Sequence, residues 1–165
     1  HPNVFDMCGI DKTKYTGITV LVGEGEYHVS DGIVFTPLDV SAPNCTKQLE
    51  VASYTIKICC NDKWFQVQYR DAITQKLIDC ATNIFICCWT ANNIRVEGSP
   101  EKLKQRSMIQ GEAIKECNNL LALMQIAQEV FHLTAKRIKY WGEKTLYVRS
   151  LIGKWRDSDS RRFDL

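Results

Sequence analysis

Glu24, Glu26 and His28 come closest to a catalytic grouping in this chain. Alternate residues of a strand point to one face, so all three would project together. A carboxylate beside an imidazole is the general acid–base pair of a secreted ribonuclease-like hydrolase. Glu50 is a further carboxylate for that reading, and Arg70 or Arg149 would hold a phosphodiester. The same alternation is ordinary on a solvated edge strand. The chain has no Gly-x-Ser-x-Gly elbow, no His-Glu-x-x-His and no phosphate-binding glycine loop. We therefore assign no catalytic residue and expect no enzyme, with the hydrolase as the alternative. His1 has no second well-placed ligand, and the cysteines include no Cys-x-x-Cys pair. No metal and no cofactor is expected.

The cysteines carry more information. Eight occur in 165 residues: Cys8, Cys45, Cys59, Cys60, Cys80, Cys87, Cys88 and Cys117. An even set in an extracellular protein reads as a disulfide framework. Two features lead us to expect a chain outside the cell. It opens on His1-Pro2, as after removal of a signal peptide. Asn44-Cys45-Thr46 is a glycosylation sequon, so Asn44 is a candidate glycan site. Neighbouring residues of a strand face opposite ways, so Cys59-Cys60 and Cys87-Cys88 would each tie both faces of a sheet. Each bridge would contribute about 2–4 kcal/mol. The connectivity stays open.

The elements that must position these residues read as strands followed by a helix. Residues 18–22 and 26–35 are β runs around Gly23 and Gly25, which predicts a hairpin. Pro37 and Pro43 bound a loop. Residues 53–60 and 65–70 alternate, with Asn61-Asp62 as turn chemistry between them, and residues 84–90 are nearly all apolar. Gly98-Ser99-Pro100 marks a change to helix. Ala113, Ile114, Cys117, Leu120, Leu121, Met124, Ala127 and Phe131 form a helical stripe, with Gly142 as its stop and residues 145–152 as a last strand. The expected fold is α+β: an antiparallel sheet of about four strands packed against a central long helix, stapled by disulfides. Residues 1–165 are read as a single domain, with Cys117 bridging helix to sheet.

Charge and aromatics suggest binding. Residues 1–100 hold 8 Lys+Arg and 11 Asp+Glu, whereas residues 101–165 hold 13 and 8. That is either a patch for an acidic partner or a solvated face balanced by the rest of the chain, whose net charge is only +2. Trp64, Trp141 and Trp155, the last followed by Arg156, are candidate partner anchors. Trp89 is read as packing against a bridge. No stretch of about 18 apolar residues is present, so no membrane span is expected.

Several segments together resemble a known family. They are Cys45-Thr46-Lys47-Gln48-Leu49, Ser53-Tyr54-Thr55, Cys59-Cys60-Asn61-Asp62, and Cys80 with Ile84-Phe85-Ile86-Cys87-Cys88-Trp89. They are similar to the LARS-type cysteine-rich secreted effectors of plant-pathogenic fungi. These are avirulence and resistance-suppressing proteins of the oilseed-rape stem canker fungus, with relatives in the tomato leaf mould fungus. The resemblance covers mainly residues 45–120. Family members carry Trp-Arg followed by an apolar and then a basic residue; here Trp155-Arg156 is followed by Asp157-Ser158, so only the first half is present. The resemblance implies a disulfide-held antiparallel sheet crossed by helices, secretion during infection, recognition by plant resistance proteins and no enzymatic activity. The resulting expectation is a secreted, non-enzymatic effector in the host apoplast. Its partner would be a host protein such as a plant receptor or resistance protein, not nucleic acid. A parasite toxin or cytokine-like ligand is a further alternative.

Overall fold

A computed structural model describes residues 17–22, 25–35 and 45–163, with side chains from residue 45 onward. The chain divides into two units, residues 1–40 and 41–165. In the first, β1 (Gly17–Val22) pairs antiparallel with β2 (Gly25–Phe35). The second contains four helices: α1 (Thr46–Cys59), α2 (Gln75–Asn92), α3 (Pro100–Phe131) and α4 (Ala135–Arg162). A 3-10 turn (Val67–Tyr69) and a π turn (Arg70–Thr74) lead into α2.

The α+β expectation is therefore corrected. Residues 45–163 hold no strand, and each segment there read as β lies in a helix or turn. In α1 the buried positions are Gln48, Val51, Ala52, Thr55, Ile58 and Cys59, which follow the 3.6-residue period. The alternation of Tyr54, Ile56, Ile58 and Cys60 misled because Ile56 and Cys60 are exposed on that helix or just past it. Residues 65–70 form a turn and the start of the π turn. Residues 84–90 belong to α2, whose buried face is Leu77, Ala81, Ile84, Cys88, Ala91 and Asn92. A helix with apolar residues on its outer side as well reads like a doubly buried strand.

The single long helix of the sequence reading is two helices. Ser99 caps α3, accepting the Lys102 N–H at 3.3 Å, and Pro100 occupies the first turn. α3 ends at His132 in the left-handed region (φ 53°), and Thr134 then caps α4, accepting the Arg137 N–H at 3.2 Å. Gly142 stops nothing: it lies inside α4, 4.0 Å from Leu121 Cδ2 when a Cβ is placed on it. Residues 145–152 are helical too, and Trp141, Thr145, Val148, Ile152, Trp155 and Asp159 form the buried stripe of α4.

Cross-helix pairs establish the topology. Arg106 meets Asp159 and Asn118 meets Arg149, so α3 and α4 are antiparallel. Glu50 meets Lys144 and Thr55 meets Trp141, which sets α1 antiparallel to α4. Arg106 reaches the Ile94 carbonyl just beyond α2, while Tyr69 packs on Phe131 at the other end, so α2 and α3 are antiparallel. The result is an up-down-up-down four-helix bundle. At about 1.5 Å per residue, α3 is roughly 48 Å long and α1 only about 21 Å. One end of the core is aromatic: Phe65 lies 4.7 Å from Phe131 and 6.4 Å from Trp141, centroid to centroid. Trp141 is fully buried, and its Nε1–H donates to Thr55 Oγ1 at 2.9 Å.

No disulfide joins two of the described cysteines, which corrects the stapled sheet. Cys59 is buried while its neighbour Cys60 is exposed; Cys88 is buried and Cys87 half-buried. Neighbours on a helix are turned by about 100°, so these pairs never face opposite sides as they would in a strand. Cys117, expected to bridge helix to sheet, is a buried thiol of α3 near Cys88.

Candidate binding surface

The residues proposed for acid–base chemistry do not converge where they are described. Glu24 lies outside the described residues, and Glu26 and His28 lie in β2, whose side chains are also outside them. Glu50 faces α4, accepts from Lys47 at 3.2 Å and forms an ion pair with Lys144 at 3.7 Å. Arg149 faces the other way, donating to Asn118 Oδ1 on α3 at 2.7 Å. Arg70 sits at the π turn, 3.6 Å from Asp62. Among the described residues no three of His, Cys, Asp and Glu gather in a way that could hold a metal ion. Cys8 and Asn44 fall outside the described residues.

Burial also governs the thiols. It pushes Cys59 and Cys117 up to about 12 and raises Cys88 further. Cys80, half-buried, is pushed up to about 12 by desolvation and by a hydrogen bond to Glu116. Such thiols are almost entirely protonated at neutral pH, so they behave as small apolar side chains rather than nucleophiles.

The candidate tryptophan anchors separate. Trp141 and Trp155 are buried, Trp155 beneath the Arg106 guanidinium at 5.1 Å. Both hold helices together and have no face to offer a partner, which corrects that reading. Arg156 remains exposed but is engaged, its Nε donating to Ser107 Oγ at 2.9 Å. Trp64 is 36% exposed, with Arg137 stacked 3.5 Å above its ring centroid. Trp89, expected to cover a bridge, is 50% exposed and lies 5.9 Å from Phe85.

The structure instead brings together a seam between α1 and α4 that the sequence reading missed. Lys47, Glu50, Tyr140, Glu143, Lys144 and Tyr147 line a groove of about 250 Å³, floored by Val51 and Val148. Tyr140 and Tyr147 are 49% and 54% exposed, too open for core residues. Tyr54 braces Tyr140 edge-on at 5.3 Å, and Lys144 Nζ lies 4.9 Å from its ring centroid. The Lys47 hydrogen bond and the nearby Lys144 charge hold the Glu50 carboxyl below the usual carboxylate range. Two half-exposed tyrosines above an apolar floor, among fixed charges, have the composition of an interaction hot spot. The available signal was the seven-residue Tyr140–Tyr147 spacing, which is two helical turns.

Charge is also divided more sharply than the whole-chain total suggests. Residues 1–44 hold 2 Lys+Arg and 6 Asp+Glu, net −4. Residues 45–163 hold 19 and 12, net +7. On α4, Lys136, Lys154 and Arg161 are exposed and form no ion pair among the described residues. Their spacings of 18 and 7 residues set them on one side of the helix. No described helix is long and apolar enough to cross a membrane. Compared with protein families, curated proteins and solved structures, the chain finds no match.

Proposed function

We propose that this chain is a non-enzymatic binding protein whose basic helical bundle docks on the acidic surface of a macromolecular partner. The observation that carries this reading is the +7 charge of residues 45–163. A solvated-face explanation relies on acidic residues to balance the basic third, but residues 45–163 hold only 12 acidic residues against 19 basic ones. Exposed, unpaired Lys136, Lys154 and Arg161 give the bundle a basic ridge. Such a surface raises the encounter rate with an acidic partner and confers salt dependence on it. In its specific form the proposal is a secreted effector of a plant-pathogenic fungus acting on a host protein in the apoplast. The Asn44 sequon and the LARS-type resemblance support that form.

Titration of the full chain against polyglutamate, a simple acidic polypeptide, tests the docking step. Binding should weaken steeply as salt rises and should fall in the K154E/R161E variant. Reversals on α1 and α2, K57E/K76E, should matter less. Binding that is absent at low salt, or insensitive to K154E/R161E, would rule out the α4 ridge.

A further inference from the structure

We propose that the α1–α4 seam is a two-fold interface with a second copy of this chain. The inference goes beyond the acidic-partner reading, because it rests on the self-matching side chains of the groove, which share a side of α4 with Lys136 and Lys154. It rests on a symmetry in the exposed side chains of α4. From residue 140 the sequence runs Tyr140, Trp141, Gly142, Glu143, Lys144, Thr145, Leu146, Tyr147. Trp141 and Thr145 are buried, and Tyr140, Glu143, Lys144 and Tyr147 line the groove. About the midpoint between residues 143 and 144 this pattern is its own complement. If two α4 helices cross antiparallel with the axis there, residue 140 of one copy stands level with residue 147 of the other. Residue 143 then stands level with residue 144. Tyrosine meets tyrosine at both ends, and Glu143 meets Lys144 twice in the middle.

A two-fold interface requires this kind of self-complementary patch. The tyrosines lie two turns apart, about 10.5 Å along the axis, so both reach the same neighbouring helix. Half-exposed tyrosines supply contact area at little entropic cost. The groove's four charges, Lys47, Glu50, Glu143 and Lys144, sum to zero, so its lining adds no net repulsion between two copies. A strongly acidic partner would gain little from the same groove. The more open apolar surface formed by Phe85, Ile86 and Trp89 has no such self-matching pattern.

Sedimentation equilibrium of the full chain, with helicity checked by circular dichroism, tests the proposal. The wild-type chain should be a reversible dimer. E143K alone places lysines opposite lysines, and K144E alone places glutamates opposite glutamates; each should weaken the dimer roughly tenfold or more. An equimolar mixture of the two should re-form a dimer of one copy of each, because every facing pair is then opposite in sign. The E143K/K144E double variant should also dimerise. Loss of the Lys144–Glu50 pair inside one chain would not be repaired by either combination, so rescue reports the contact between copies. Y140S and Y147S, at positions already half open to solvent, give a second arm and should each favour the monomer. A wild-type chain that stays monomeric at the highest soluble concentration overturns the proposal. So does a dimer indifferent to both single reversals, or one that the mixture does not rescue. Polyglutamate binding by a monomeric K144E variant separates this interface from the basic ridge.

Discussion

Arg106 and Asp159 are both 2% exposed, yet they are among the most polar side chains of the bundle. Arg106 Nε sits 2.9 Å from Asp159 Oδ2, and Gln110 Nε2 donates to the same oxygen at 2.7 Å. Arg106 Nη1 also donates to the Ile94 carbonyl at 3.3 Å, and its guanidinium covers Trp155. Charges taken out of water are tolerated only when their partners replace the lost solvation. One side chain thus ties together the α2–α3 loop, α3 and the end of α4. Removing either member should cost about 3–5 kcal/mol, because the other remains as a buried unpaired charge. The R106L/D159L double variant should cost far less than the sum of its singles. Urea denaturation of the four proteins measures this. Additive single costs would mean that the two residues act independently. The exposed Lys47–Glu50 pair is different: solvent screens it, and such pairs contribute little to stability.

At the scale of elements, the turn between α3 and α4 decides whether the chain forms a bundle or one overlong helix. His132 sustains φ 53° there without being glycine. That conformation costs an L-residue roughly 1–2 kcal/mol, whereas glycine adopts it freely. H132G should therefore raise stability by about 0.5–1 kcal/mol, and T134A, which removes the α4 cap, should lower it by about 1 kcal/mol. Chemical denaturation would show both; an H132G variant less stable than wild type would contradict the first. The sequence announced some of these elements and concealed others. Ser99-Pro100 and the stripe from Ala113 to Phe131 are explicit start and period signals, and α3 follows them. His132 and Thr134 carry no glycine or proline, so the break between two helices was invisible, and Gly142 drew attention to the wrong place. In α1 the core positions include Gln48, Thr55 and Cys59, whose polar or ambiguous character weakens the helical period. Trp64 was recognisable as an exposed aromatic. The seam was not, because one wall comes from Lys47 and Glu50 and the other from Tyr140 to Tyr147, nearly a hundred residues later.

The whole molecule shows where its stability comes from. A cysteine-rich chain of this length suggests covalent reinforcement, but the bundle already buries one continuous core from Phe65 through Leu77, Leu120 and Val148 to Trp155. Cys59, Cys88 and Cys117 are fully buried in that core as thiols, their pKa values raised by the apolar surroundings. Packed this way they contribute as small hydrophobes do, through area removed from water. Helical unfolding should then be indifferent to redox conditions. A single bridge contributing about 2–4 kcal/mol would shift the midpoint by roughly 4–16 °C in a protein of this size. Thermal melts followed by circular dichroism, with and without a strong reductant, should therefore superimpose within about a degree or two. A fall of the size expected for one bridge would restore the covalent framework and displace the packed core as the main source of stability. Coincident melts would instead show the buried thiols acting through packing alone, with volumes between those of alanine and valine. Cys88→Ala and Cys117→Val should then unfold cooperatively near the wild-type midpoint, which no member of a structural disulfide would do.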